Sequence, residues 1–77
     1  MKTKVINILN EIRPEFNFGE EVNFIEQGML DSFDIVILVT MLEEKFGTTI
    51  DGTDILPENF ATSDSIVKLL NKKGVKQ

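Results

Sequence analysis

The chain has 77 residues, of which 13 are acidic and 8 are basic, so its formal net charge at pH 7 is −5. A chain of this length encloses one hydrophobic core, and we expect a single domain over residues 1–77. It contains no histidine and no cysteine, which excludes Ser-His and Cys-His catalytic pairs, disulfides and zinc–thiolate sites. We therefore expect a protein on which enzymes act, or a binding module, rather than an enzyme.

Charge is distributed unevenly along the sequence. Of the 13 acids only Glu11 lies outside residues 15–64, whereas Lys45 is the only one of the 8 bases inside that span. Nucleic acid binding requires a basic face, so we expect protein partners with basic patches instead; alternatively, the acids serve only solubility. The longest apolar run, Ile35–Val39, is too short to span a membrane, and residues 1–5 lack the apolar run of a signal peptide. We expect a cytoplasmic monomer without membrane insertion.

The first predicted helix covers about residues 3–13. Its apolar residues recur at the spacing of an amphipathic helix, and they are Val5, Ile8, Leu9 and Ile12. Thr3 is the expected cap, Arg13 suits the negative end of the helix dipole, and Pro14 ends the helix because the residue before a proline avoids helical angles.

Residues 14–31 show no sustained period and predict a long first loop. Its scattered large apolar residues predict anchors to the core, and they are Phe16, Phe18, Phe24 and Ile25. Unstructured loops of this length are uncommon in small domains and usually have a function. Gly28 supplies a position at which the backbone can adopt a positive φ before the next helix.

The second predicted helix runs from about residue 33 to residue 46, with Asp31 or Ser32 as its cap and Gly47 at its end. One side of it predicts a core face, formed by Ile35, Leu38, Val39, Leu42 and Phe46. The opposite side is apolar as well, and a small helical domain cannot enclose this helix completely.

That opposite side predicts an exposed docking strip for a transient protein partner. The strip is formed by Phe33, Val36, Ile37, Thr40 and Met41, with Asp34, Glu43 and Glu44 as its acidic edge. The alternative is that loop 14–31 folds over the strip and hides it.

The last third of the chain predicts a connector and a final helix. Residues 51–54 resemble the start of a calcium loop, but later ligand positions hold Ile55 and Thr62, so we expect a structural loop and no metal. A short helical turn is predicted near 57–61 and a last helix at 63–73, capped by Thr62 or Ser63. Residues 75–77 are expected to fray. The fold class is all-α, a three-to-four-helix bundle with a long first loop.

Ser32 stands where loop becomes helix, and its hydroxyl has three candidate roles. It can cap the helix. It can act as a hydrolase nucleophile only with a base, which the chain does not supply, since Asp31 is poorly placed and too weak. It can also accept a phosphate-linked group, which the unpaired N–H groups and partial positive charge of a helix N-terminus favour.

Three segments closely resemble the acyl carrier proteins of fatty acid, polyketide and nonribosomal peptide synthesis. They are GMLDSFDIV at 28–36, LEEKFG at 42–47 and TSDSI at 62–66. The resemblance implies an acyl-carrier-type bundle in which a phosphopantetheinyl transferase, using coenzyme A, attaches 4′-phosphopantetheine to Ser32. Asp31 matches the family's acid beside the modified serine, and the arm would hold acyl groups as thioesters. The resemblance also implies docking of acyl- or aminoacyl-loading and synthase enzymes along the second helix.

Some positions depart from the pattern of bacterial fatty acid carriers. Those carriers usually have leucine in place of Phe33, an acid in place of Ile37 and often methionine in place of Thr40, so the docking side here is more apolar. Phe33 after the serine is similar to the D-alanyl carrier proteins of teichoic acid modification. We expect a discrete carrier of a dedicated acyl-transfer pathway, with a D-alanyl or other aminoacyl carrier, or a non-carrier interaction domain, as alternatives.

Overall fold

The computed structural model describes residues 1–76, and within them it contains four α-helices and no strand. The helices are α1 (Lys2–Ile12), α2 (Ser32–Phe46), α3 (Pro57–Phe60) and α4 (Ser63–Lys72), with a 3₁₀ turn at Gly52–Asp54. The predicted all-α bundle with a long first loop is confirmed. No helix within residues 1–76 is long and apolar enough to cross a membrane.

The core lies between α1, α2 and α4, where α1 contacts both α2 and α4 and each helix turns its apolar stripe inward. Its buried members include Val5 and Leu9 from α1, Leu38 and Leu42 from α2, Phe60 from α3, and Ile66 and Leu70 from α4. Ile50, in the connector after α2, is buried too, whereas Ile35 and Phe46, predicted for the core face of α2, are only partly buried.

The long loop is anchored by phenylalanine side chains. The ring of Phe18 meets that of Phe24 edge-on with centroids 5.0 Å apart, and Phe16 packs on Phe18 at 6.2 Å. Phe18 and Phe24 have no exposed surface, and the backbone N–H of Phe24 donates to the carbonyl of Ala61 at 2.6 Å. These contacts hold the loop against α3 up to the residues that precede α2.

The last residues of the loop approach α2 through a turn that ends at Gly28. Gly28 has φ +73°, as expected. The next two residues, Met29 and Leu30, are buried, and their N–H groups donate to the carbonyl of Phe24 at 2.8 and 3.3 Å. The start of α2 is therefore fixed from the side of the loop.

Two predictions about the chain ends are wrong. Met1, not Thr3, is the N-cap of α1, and no side chain caps that helix. The helix begins at Lys2, and Met1, four residues before Val5, packs against the core, so Thr3 lies inside the helix. Val75 does not fray, because it is 91% buried against the core after Gly74 turns the chain at φ +85°. Position 77 lies outside the described residues.

Candidate functional site

Ser32 is the first residue of α2, and its side chain is exposed. Among residues 1–76 its hydroxyl has no hydrogen-bond partner, and neither do the backbone N–H groups of Ser32 and Phe33. Of the two predicted caps, Asp31 is the one that caps the helix. The junction therefore presents a free hydroxyl beside two free backbone donors.

Ser63 shows that this exposure does not follow from helix position alone. It is the first residue of α4, directly after the N-cap Thr62, just as Ser32 directly follows Asp31. Ser63, however, is buried, with 7% of its surface exposed. Of these two serines at equivalent helical positions, only Ser32 is accessible to another protein.

A reciprocal pair of hydrogen bonds closes the first turn of α2. Asp31 Oδ1 accepts from the backbone N–H of Asp34 at 2.9 Å, and Asp34 Oδ2 accepts from the backbone N–H of Asp31 at 3.1 Å. Such capping boxes satisfy donors that a helix N-terminus leaves unpaired. Ser32 lies between the two partners in the chain, so its backbone is held in the first helical turn.

Arg13, immediately after α1, binds the same turn. Its Nε–H donates to Asp34 Oδ2 at 3.0 Å, and Nη2 lies 2.9 Å from the same oxygen and 3.5 Å from Asp31 Oδ2. Its Nη1 donates to Glu15 at 3.2 Å. The guanidinium therefore joins the end of α1 to the start of α2.

These contacts shift the pKa values of both partners. Burial alone would raise the pKa of Asp34, but the hydrogen bonds from Arg13 and from the Asp31 backbone, with the nearby positive charge, lower it below its ordinary 3.8. The hydrogen bond to Asp34 is the main cause that raises the pKa of Arg13. The pair is therefore ionised throughout the neutral range.

The apolar strip on α2 is exposed. Phe33 has 72% of its surface exposed, Val36 59% and Ile37 37%. Thr40 is exposed too, although its hydroxyl donates to the Val36 carbonyl at 3.2 Å. Met41, also predicted for the strip, is half-buried and packs against the core. Loop 14–31 leaves the exposed residues uncovered, so the alternative in which it hides the strip is wrong. Their role in docking stays a prediction.

The acidic edge of the strip differs from the prediction. Asp34 is 95% buried, because its carboxylate faces Arg13 and the capping box, and its predicted place on the exposed edge is wrong. Glu43 is half-buried and accepts from the N–H of Ile50 at 2.8 Å, so it also fixes the connector after α2. Glu44 is exposed, as is Asp31.

The role of Arg13 at the start of α2 was not predicted; its position in the sequence indicated only an interaction with the dipole of α1. The available signal was the Asp-x-x-Asp spacing at the start of α2, since a second acid in that pattern commonly closes a capping box and attracts a cation. The identity of the cation was not accessible, because Arg13 lies 21 residues before Asp34.

Neither a metal site nor a surface depression extends the site at Ser32 among the features described for residues 1–76. Within residues 1–76 no group of acidic side chains is arranged to hold a metal ion. Three surface depressions lie near Lys4, Pro57 and Phe16, and neither Ser32 nor the buried α2 residues Leu38 and Leu42 line any of them. These depressions therefore do not extend the Ser32 site into the core.

Comparison with known proteins identifies the class of this fold and site. The profile of the phosphopantetheine attachment site family matches residues 3–70, and the chain belongs to this family of phosphopantetheine-bearing carrier proteins. It is 32% identical to a D-alanyl carrier protein of Bacillus velezensis over 73 residues, 92% of this chain and 94% of that protein. D-alanyl carrier proteins of Bacillus cereus and Bacillus anthracis are 29% identical over 92% of each chain.

Membership of this family makes the chain a phosphopantetheine carrier protein, with covalently attached 4′-phosphopantetheine as its cofactor. The described residues fit such a group, because an exposed hydroxyl stands beside unpaired N–H groups at a helix N-terminus, where phosphate is favoured. When bound, the group supplies a thiol to which an acyl group can be attached as a thioester.

Proposed function

We propose that Ser32 is the residue that carries 4′-phosphopantetheine and that the chain, a single carrier domain, is a substrate of enzymes and not itself a catalyst. The exposure of Ser32 at the start of α2 carries the proposal, with the buried Ser63 as the contrast. In the attachment step, Ser32 Oγ forms a bond to the phosphoryl group of coenzyme A. The bond from phosphorus to the departing adenosine 3′,5′-bisphosphate breaks, and the hydroxyl proton passes to a base of the transferase.

The cargo we propose is a small aminoacyl group, D-alanyl in the first instance, carried as a thioester. The similarity to D-alanyl carrier proteins over almost the whole chain supports this, as do Phe33 beside the serine and the apolar Ile37.

The partners follow from that cargo. A phosphopantetheinyl transferase with coenzyme A installs the arm, and an adenylating enzyme then loads the amino acid, which places both steps in the cytoplasm. We propose that both enzymes dock on the exposed part of the apolar strip, which is formed by Phe33, Val36, Ile37 and Thr40. We also propose that basic groups of the enzymes meet the exposed acids Asp31 and Glu44 and the half-buried Glu43.

The first experiment tests attachment. The purified chain is incubated with a broad-specificity phosphopantetheinyl transferase, coenzyme A and Mg²⁺, and its intact mass is measured. We expect a gain of one phosphopantetheine, its loss in Ser32→Ala, and its retention in Ser63→Ala. An unmodified wild-type chain, or a modified Ser32→Ala chain, would contradict the proposal.

The second experiment tests the cargo. The holo chain is offered to a D-alanine-adenylating enzyme with ATP and either D-alanine or L-alanine, and in parallel to a malonyl transacylase with malonyl-coenzyme A. We expect a hydroxylamine-sensitive mass gain with D-alanine. Loading with malonyl instead of D-alanine would favour a fatty acid or polyketide carrier and would overturn the aminoacyl assignment.

A further inference from the structure

The chain uses a similar local arrangement twice, and only one copy lies beside the exposed serine. At Asp31–Asp34 and again at Asp51–Asp54, the carboxylate of the second Asp accepts from the backbone N–H of the first. The return bond comes from the side chain of Asp31 in the first copy and from the backbone carbonyl of Asp51 in the second. In each copy a cation from a distant segment binds the second Asp: Arg13 at α2 and Lys73 at the 3₁₀ turn. The second copy is therefore a natural control for the first.

The two cations differ in how firmly they fix their partners. Arg13 Nε donates a hydrogen bond to one oxygen of Asp34, and Nη2 lies 2.9 Å from the same oxygen. A guanidinium in contact through two of its nitrogens is held in orientation as well as in place. Lys73 is a point charge on a flexible side chain. Arg13 thus fixes the start of α2 relative to α1 more rigidly than a simple ion pair would.

The position of Asp31 depends on the same guanidinium. One of its carboxylate oxygens caps α2, and the other lies 3.5 Å from Arg13 Nη2. Asp31 is largely exposed and directly precedes Ser32 in the chain. Without Arg13, Asp34 would be left as a buried carboxylate without its cation, which weakens the capping box, and Asp31 would lose the group that orients its second oxygen.

We propose that Arg13 is a positioning residue for the modification of Ser32: by binding Asp34 and facing Asp31, it holds the first turn of α2 in the geometry that the transferase uses. This rests on the proposed attachment at Ser32. Arg13 also offsets the negative charge of the two aspartates as the anionic phosphoryl group of coenzyme A approaches. It acts through its neighbours and need not touch the transferase.

The effect is expected on kcat rather than on KM. A small displacement of a reacting atom can reduce a rate by as much as about 100-fold, and we expect Arg13→Gln to lower the kcat of holo formation about tenfold. The KM for the carrier should change little, because the apolar strip is untouched. Arg13→Lys should recover only part of the rate, since lysine cannot reproduce the two-nitrogen contact.

The test measures the initial rate of holo formation against carrier concentration for wild type, Arg13→Gln, Arg13→Lys and Lys73→Gln. It is run at a temperature where circular dichroism shows every variant folded. Lys73→Gln removes the equivalent cation from the copy distant from Ser32 in sequence, and we expect it to leave kcat unchanged. Arg13→Gln added to Asp34→Asn should lower kcat no further, because both changes break one interaction.

Each other outcome has a defined meaning. An unchanged kcat in Arg13→Gln, with wild type modified at Ser32, would overturn the positioning role and leave the attachment intact. If Arg13→Gln raised KM alone, Arg13 would be a residue that contacts the transferase. If Lys73→Gln lowered kcat as much as Arg13→Gln does, the loss would reflect reduced stability of the fold. Either result would overturn the proposal. An unmodified wild type would instead contradict the proposed function.

Discussion

The ammonium group of Lys73, just after α4, binds the carboxylate of Asp54 in the 3₁₀ turn and lies 3.4 Å from Asp51 Oδ2. The pair joins the connector after α2 to the end of the last helix. The hydrogen bond with Asp54 is the main cause that raises the pKa of Lys73 and lowers that of Asp54. This ion pair therefore makes stability depend on pH in the alkaline range.

Wild type should lose stability as the pH rises into the alkaline range, and this contribution should be absent in Lys73→Gln. A lysine whose pKa is higher in the folded than in the unfolded chain stabilises the fold fully below its ordinary pKa of 10.5, and this contribution is lost as the pH rises through the folded value. Wild type should therefore melt above Lys73→Gln at neutral pH, with the gap closing above pH 10.5. Thermal melts followed by circular dichroism measure this difference in melting temperature. A difference that stays constant with pH would show that Lys73 stabilises by packing alone.

Asp34→Asn should produce the opposite pH dependence. The pKa of Asp34 is below its ordinary 3.8 in the folded chain, so its stabilisation is present above that pH and is lost as the pH falls through the folded value. We expect a loss of about 2 kcal/mol in the free energy of unfolding at pH 7, because a charged hydrogen-bonded pair is broken in a buried place. The difference in the free energy of unfolding between Asp34→Asn and wild type should become smaller at acidic pH, as measured by urea unfolding.

Glu44→Gln is the matched control, since it removes an exposed carboxylate from the same helix without breaking a hydrogen bond seen among residues 1–76. It should change the free energy of unfolding by less than about 0.5 kcal/mol. A loss in Glu44→Gln as large as that in Asp34→Asn would assign the effect to the net charge of α2.

Ile37→Glu should alter partner choice and leave the helix content unchanged. Ile37 is 37% exposed on the strip, at a position where fatty acid carriers usually have an acid. We expect faster acceptance by fatty-acid-synthesis enzymes and slower loading by the D-alanine-adenylating enzyme, measured as loading rates on the holo chain. Leu38→Glu, at the adjacent but fully buried position, should unfold the chain. Loss of helicity in Ile37→Glu would show that Ile37 belongs to the core.

Gly28→Ala should lower stability without any steric clash. A Cβ at position 28 would meet nothing within 4 Å, but φ there is +73°, and a left-handed conformation costs a residue with a side chain about 1–2 kcal/mol. Gly52→Ala is the control, because its Cβ would also be free and its φ is not in the left-handed region. Urea unfolding should separate the two; equal losses would mean that the turn at Gly28 relaxes when alanine is introduced.

The helices and most of the core were predictable because they depend on local patterns. The period of Val5, Ile8 and Leu9 and that of Leu38 and Leu42 correspond to buried stripes in the structure. Thr62 was one of two predicted caps, and it does cap α4 through a box with Ser65. Apolar period and capping chemistry are properties of neighbouring residues, which is why the sequence carries them.

The position of the candidate site was predictable, but the contacts that hold the start of α2 in place were not. Ser32 was placed at the loop–helix junction, and the structure puts it in the first turn of α2. Asp34, however, was taken for a surface acid, because its helical position borders the apolar strip. Its burial follows from Arg13, and the burial of Val75 follows from the packing of α4. The contact of Arg13 with Asp34 joins distant segments, which no local pattern encodes, whereas the N–H of Val75 donates to the Leu70 carbonyl at 3.0 Å across the turn at Gly74.

The aromatic anchors of the long loop have a practical consequence for studying complexes. Phe16, Phe18 and Phe24 are three of the 6 phenylalanines, and the chain has neither tryptophan nor tyrosine. Its absorbance in the near ultraviolet is therefore weak. In a mixture with a partner enzyme, tryptophan emission comes entirely from the enzyme. A titration with this carrier consequently reports on the fluorophores of the enzyme that binds it, without any dye.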